Sequence, residues 1–270
     1  MIHSVSNSFL INVLGALGSF VIYICLGLIF APAELGVFAF VTSLFTIASF
    51  FASFGFSVLN NRLAATYLDE NRSESENRSK AFGLLLFTVT FSLLCGVSIG
   101  AVLWGLALSG IMPEDYPAAT LALGTALIPA MAVAQTIGGF FKGLYLPSTG
   151  IFFQGAGREM VFALFFLIAI SIPALKPDGA SQALLYLAII TISLSALAII
   201  FLLKTQGFLF RQKPTFEIRT WLILAWPMLF ILALQMFIHR TDIIMMGFLT
   251  PPEDTGIYAL AAKLAQAATL

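Results

Sequence analysis

The stretch Gly247-Phe248-Leu249-Thr250-Pro251-Pro252-Glu253-Asp254-Thr255-Gly256-Ile257-Tyr258-Ala259 decides how this chain is read, because an earlier stretch repeats it. Moved back by 220 residues, it lies over Gly27-Leu28-Ile29-Phe30-Ala31-Pro32-Ala33-Glu34-Leu35-Gly36-Val37-Phe38-Ala39. Gly27/Gly247, Pro32/Pro252, Gly36/Gly256 and Ala39/Ala259 are identical; Glu34/Asp254, Val37/Ile257 and Phe38/Tyr258 are close substitutions. Proline and acid make a turn, glycine frees the backbone where the next helix starts, and an aromatic sits at an interface. Each stretch is a turn between two long apolar runs.

Working outward, apolar runs fill the chain. A bilayer core about 30 Å thick takes roughly 20 apolar residues per helical crossing. Seven runs reach that length, at 9–30, 36–59, 81–108, 118–141, 152–175, 182–203 and 221–249, and an eighth starts at Ile257. Of the 270 residues, 60% are hydrophobic and 10% charged, against roughly 25% charged in soluble chains. Too few polar residues remain to cover a soluble surface. The fold class predicted is all-α, a polytopic transmembrane helix bundle.

The offset spans six crossings, an even number, so the two copies share one orientation. They read as parallel repeats about an axis along the membrane normal, a plan used by transporters. The expected organisation is a six-helix lobe at 1–203, a cytoplasmic linker at 204–220, and the first two helices of a second lobe at 221–270. A complete second copy would bring the chain to roughly 430 residues and twelve spans, so the sequence is read as the N-terminal part of a longer protein.

Orientation follows from Lys and Arg, which favour the cytoplasmic side in short loops. With the N-terminus inside, Arg62, Arg72, Arg78, Lys80, Lys142, Lys204, Arg211, Lys213 and Arg219 are cytoplasmic, and the other side holds Lys176. No Lys or Arg precedes the first run, which argues for an uncleaved span over a secretory signal. The polar loop 60–80, with its doubled Glu-Asn-Arg-Ser at 70–73 and 76–79, reads as solvated and loosely ordered. Cys25 and Cys95 lie in apolar runs and suggest neither disulfide nor metal. The net charge is zero, so nucleic acid is not an expected partner.

The residues after the first turn, Leu35-Gly36-Val37-Phe38-Ala39-Phe40, resemble the first hairpin of bacterial polysaccharide exporters. Phe54-Gly55-Phe56, followed by Asn61-Arg62-Leu63-Ala64, is similar as well. The closest likeness is Arg240-Thr241-Asp242-Ile243-Ile244-Met245-Met246-Gly247 with Thr255-Gly256-Ile257-Tyr258-Ala259-Leu260-Ala261-Ala262-Lys263-Leu264. These resemble the seventh and eighth helices of O-antigen and exopolysaccharide flippases. Those flippases belong to the multidrug/oligosaccharidyl-lipid/polysaccharide exporter superfamily. The resemblance implies a MATE-like pair of lobes around an alternating cavity, in the bacterial inner membrane. It also implies passage of a polyprenyl-pyrophosphate-linked oligosaccharide from inner to outer leaflet. Partners implied are the lipid bilayer, that lipid-linked substrate, and polysaccharide polymerase or chain-length proteins.

Ionisable groups at membrane depth cost about 2.5–3.5 kcal/mol each to insert, which makes Arg158, Glu159, Arg240, Asp242 and Lys263 the candidates. Asp242 and Lys263 are expected about 10 Å below the outer surface, where adjacent helices would let them pair. Two readings stand: a buried pair that fixes packing, or a cavity cluster that meets an anionic head group or couples to protons. Arg240 lies about 200° around the helix from Asp242 and either faces the cavity, where a guanidinium grips pyrophosphate bidentately, or snorkels to the interface. Arg158 reads most simply as snorkelling inward; otherwise it would help receive substrate phosphate from the inner leaflet. Gln135 and Gln235 line a cavity or bond neighbouring helices, and His239 reads as packed or interfacial. Ser92, Gly96 and Gly100 form a small-residue stripe for close helix packing, and Pro129 and Pro227 are expected to kink their helices. No P-loop, HExxH or Cys/His metal spacing is present, so neither an enzyme nor a cofactor is expected. The rivals are a drug/cation antiporter of the same superfamily, which favours acidic cavity residues, and a membrane remnant that transports nothing.

Overall fold

The computed structural model describes residues 2–68, 75–109, 116–172, 175–207 and 213–267. The described residues form helices and turns with no strand, and seven helical segments are long and apolar enough to cross a membrane. Helix α1 spans Ile2–Ile29, α2 Pro32–Ala52, α3 Phe56–Tyr67 and α4 Ser75–Leu108. Then come α5 Ala118–Thr125, α6 Leu127–Gly143, α7 Pro147–Ile151 and, after a π turn at Phe152–Ala156, α8 Gly157–Ser171. Helices α9 Ala180–Thr205, α10 Ile218–Leu249 and α11 Pro252–Ala267 follow. Pro32, Pro147 and Pro252 each open a helix, where the missing N–H has no intrahelical partner to lose.

Helix α2 is the centre of the bundle. Thirteen of its residues are buried, because α11, α10, α6, α9 and α4 all pack on it. The repeated stretches meet each other there. A Cβ on Gly36 would run into the carbonyl of Pro252 and stand 2.9 Å from the Gly256 nitrogen. A Cβ on Gly256 would run into the carbonyl of Pro32 and stand 2.9 Å from the Gly36 nitrogen. One level deeper, a Cβ on Gly247 would strike the Phe40 ring, while Gly27 faces Leu260 at 3.5 Å. Each contact recurs with its partners exchanged at an offset of 220.

The run expected to be one span at 36–59 is two helices. Phe54 (φ 49°) and Gly55 (φ 74°) take the left-handed conformation and turn the chain between α2 and α3. The backbone of α10 crosses there, so a Cβ on Gly55 would stand 2.7 Å from the Leu229 nitrogen. Strain in φ and lack of room both oppose a side chain, and Gly55→Ala is expected to cost about 1–3 kcal/mol. A thermal unfolding midpoint in detergent unchanged from wild type would refute this.

The loop expected to be loosely ordered at 60–80 is helical over 60–67 and 75–80, and the first Glu-Asn-Arg-Ser copy lies outside the described residues. Asn60 is fully buried, its Nδ2 donating to Thr88 Oγ1 at 3.0 Å and to the Thr136 carbonyl at 3.1 Å. That clamp joins α3, α4 and α6. The Ser92/Gly96/Gly100 stripe is buried as expected, and a Cβ on Gly96 would lie 2.6 Å from Pro129 Cα. The break between α5 and α6 fits Pro129, whose missing N–H leaves the Thr125 carbonyl without its usual donor. Pro227, by contrast, sits inside an uninterrupted α10.

Where α4 and α10 begin, Lys80 Nζ reaches Glu76 at 2.9 Å and Glu217 at 3.2 Å, and the Thr215 amide donates to the Ser79 carbonyl at 3.1 Å. Tyr67 donates to Glu217 at 3.5 Å and accepts from Trp221 Nε1 at 3.4 Å. Burial holds the Tyr67 phenol above its ordinary pKa, so it stays a donor. This network ties the start of α10 to α3 and α4. Helix α10 starts at Ile218, three residues earlier than its apolar run.

Candidate functional site

Three cations from three helices converge at mid-depth. Arg158 of α8, Arg240 of α10 and Lys263 of α11 line one small cavity of about 50 Å³, together with Glu159 and the α1 residues Ser19, Ile22 and Tyr23. Thr42, Thr46, Met131 and Phe162 close its walls. Arg240 lies ten residues before the turn at Thr250 and Lys263 eleven after Pro252, which puts both about 15–16 Å from the turn end of the bundle.

Glycine packing brings α8 to the cavity. A Cβ on Gly15 would stand 2.7 Å from Ala156 Cβ, and one on Gly18 would stand 3.0 Å from the Glu159 carbonyl. Helix α1 therefore presses directly on the backbone that carries Arg158 and Glu159. The π turn at Phe152–Ala156 adds a residue to the preceding turn and so resets which face of α8 points inward. Arg158 does not snorkel, contrary to the simpler of its two sequence readings. Its Nη2 and Nε both donate to Glu159 Oε1, at 2.6 and 3.2 Å, and the two side chains are 18% and 26% exposed.

Lys263 Nζ stands 5.4 Å from the centre of the Tyr23 ring, on its face, and donates to Gln266 Oε1 at 3.2 Å. Tyr23 is buried; with Ser19, Thr42 and Thr46 it is a polar cavity residue that the sequence reading missed. The one signal at Tyr23 was a phenol hydroxyl within the run 9–30, which also holds Asn12 and Ser19. Three positive charges against the one carboxylate leave the cavity two positive charges in excess. Among the described residues no other acid lines the wall.

Asp242 does not join Lys263. It is exposed, accepts from Tyr258 at 2.9 Å and from the Ile243 amide at 2.8 Å, and no ion pair links it to Lys263 among the described residues. The 200° separation holds: Arg240 faces the cavity and Asp242 does not line it. Gln135 is buried, and its Nε2 donates to Ser49 Oγ at 3.1 Å; it bonds α6 to α2 and does not line the cavity. Gln235 and His239 are exposed on α10. Cys25 and Cys95 are free thiols. No group of three metal-ligating side chains occurs among the described residues.

A family model described as polysaccharide biosynthesis protein matches residues 2–270. The chain belongs to this family. It is a polysaccharide transporter family of the superfamily named above, a class of transporters and not of enzymes. A member of the polysaccharide biosynthesis family with seven such helices is a multi-pass membrane protein in contact with bilayer lipid. No curated protein and no solved structure matches the chain.

Proposed function

We propose that this polysaccharide transporter is a flippase for a polyprenyl-pyrophosphate-linked oligosaccharide in the bacterial inner membrane. It takes the substrate from the cytoplasmic leaflet and releases it in the outer one, in step with a polysaccharide polymerase or chain-length protein that uses the product. The observation that carries this reading is the convergence of Arg158, Arg240 and Lys263 on one mid-depth cavity. Each is costly to insert singly, and together they offer a pyrophosphate two forked guanidinium groups and an ammonium. The lipid tail would stay in the bilayer while the charged head crosses. Three cations against one acid weigh against the drug/cation antiporter, whose cargo is repelled by such a wall.

The organisation we propose is a first lobe at 1–203, a cytoplasmic linker at 204–220 and a second lobe starting at 221, with the N-terminus cytoplasmic. The exchanged contacts between Gly36 and Pro252 and between Gly256 and Pro32 support an axis between two lobes. The excess of Lys and Arg on one side supports the orientation.

The test is glycan export in cells carrying the full-length protein. Arg240→Ala is expected to cut export about tenfold or more, the value of a lost charged hydrogen bond. Asp242→Asn, outside the cavity, is expected to leave it within about twofold. Equal export by wild type and Arg240→Ala would sink the reading.

A further inference from the structure

We propose that Glu159 is a built-in counter-anion, holding Arg158 in the empty cavity and setting the cavity charge to match a pyrophosphate diester. This rests on the reading of the cavity as the pyrophosphate site. Arg158 spends two donors on a single Glu159 oxygen, and both residues sit in the wall that also holds Arg240 and Lys263. A substrate anion reaching Arg158 meets a guanidinium that already has a partner. It must displace the carboxylate to gain a bidentate grip.

The charge count gives the exchange a purpose. A pyrophosphate linked to lipid at one end and sugar at the other carries one ionised oxygen on each phosphorus, and so two negative charges. Three cations less Glu159 leave two positive charges. Without Glu159 the cavity would hold one positive charge beyond what the substrate can neutralise, and release on the far side would leave three unpaired cations. With it, Arg158 returns to Glu159 as the substrate departs. Binding is weakened on purpose, and turnover gains, because a carrier that binds its cargo too well cannot let go.

The backbone that carries Glu159 is held in place, so a displaced carboxylate stays within reach of Arg158. The Gly18 contact pins the Glu159 carbonyl against α1, and the neighbouring π turn fixes the face on which it sits. It is a positioning residue that sets affinity, so removing it should tighten binding where a purely structural residue would loosen it.

The experiment uses the purified full-length protein and isothermal titration calorimetry with a soluble pyrophosphate diester that carries one charge on each phosphorus, alongside glycan export in cells. Glu159→Gln is expected to bind this diester about ten- to a hundredfold more tightly than wild type while exporting more slowly. Glu159→Asp, which keeps the charge and retracts it by one methylene, is expected to fall between the two, and it carries the test if Glu159→Gln does not fold. Affinity equal to or below that of wild type in the variants, with Arg240→Ala still weakening binding, would overturn the role of Glu159 and leave the cavity reading intact. No binding by wild type or any variant would overturn both.

Discussion

Gly36→Ala and Gly256→Ala are expected to lower the unfolding midpoint of the full-length protein by equal amounts, and the double variant by less than their sum. Each methyl would enter space held by a carbonyl, that of Pro252 in one case and of Pro32 in the other. Backbone atoms cannot rotate aside as a side chain does, so α2 and α11 must separate. Overpacking of this kind costs about 1–3 kcal/mol. The two positions share one seam, with each Cβ 2.9 Å from the other glycine's nitrogen. Once the first methyl has pushed the helices apart, the second enters room already opened, which is the source of the shortfall. Leucine at either position should prevent folding altogether. Additive losses, or a large loss at Gly36 beside none at Gly256, would show that the exchange of contacts is only nominal.

Trp221→Ala is expected to cost about 3–5 kcal/mol, the range for emptying a buried aromatic site. That is a large part of the roughly 5–15 kcal/mol that a typical fold has in reserve. Trp221 is fully buried among Phe56, Leu59, Leu84 and Ala225, with the Phe87 ring 5.8 Å away. Its Nε1–H is also the donor to Tyr67, so truncation leaves a void and an unserved phenol together. Trp221→Phe keeps most of the volume and should lose about half as much. Trp226 supplies the comparison: the same side chain five residues along α10, 54% exposed, where alanine should shift the midpoint far less. Near-ultraviolet circular dichroism during heating reads all three, and equal shifts at 221 and 226 would refute the argument.

The crossings were legible because hydropathy over twenty residues is what a bilayer selects. All seven runs have a helical counterpart, most displaced by a few residues at the ends, while 36–59 and 118–141 are each divided between two helices. What escaped was conformational. Phe54-Gly55-Phe56 is apolar throughout, so a hydropathy reading runs straight across it, whereas the break lies in two positive φ angles. The loop 60–80 looked solvated because Asn60 is polar, but its amide is spent on Thr88 and on the Thr136 carbonyl.

At the cavity, residue type was legible and direction only in part. Arg240 and Asp242 had to diverge, since two residues on a helix cannot share a face, and they do. The pairing expected between Asp242 and Lys263 fails for a reason of register. Helix α11 starts at Pro252 and not at Ile257, which places Lys263 deeper than Asp242 and leaves Tyr258 at the level of the carboxylate. Arg158 was misread because its inward face depends on a π turn, and no periodicity in Phe152-Phe153-Gln154-Gly155-Ala156 announces one. Gln135 is polar and inside a span, but its partner Ser49 is remote in sequence.

Contacts that recur with partners exchanged are what two identical chains make about a twofold axis. Such a pair would have to present every wall residue twice. Here the glycines of the seam are retained in both copies, while the cavity cations have no counterpart: Phe20 stands opposite Arg240 in the register and Ser43 opposite Lys263. The cargo proposed above, with a lipid at one end and a sugar at the other, has no symmetry of its own. Joining the copies in one chain would free the cavity to be as lopsided as such a cargo, while the glycine seam between α2 and α11 stays paired.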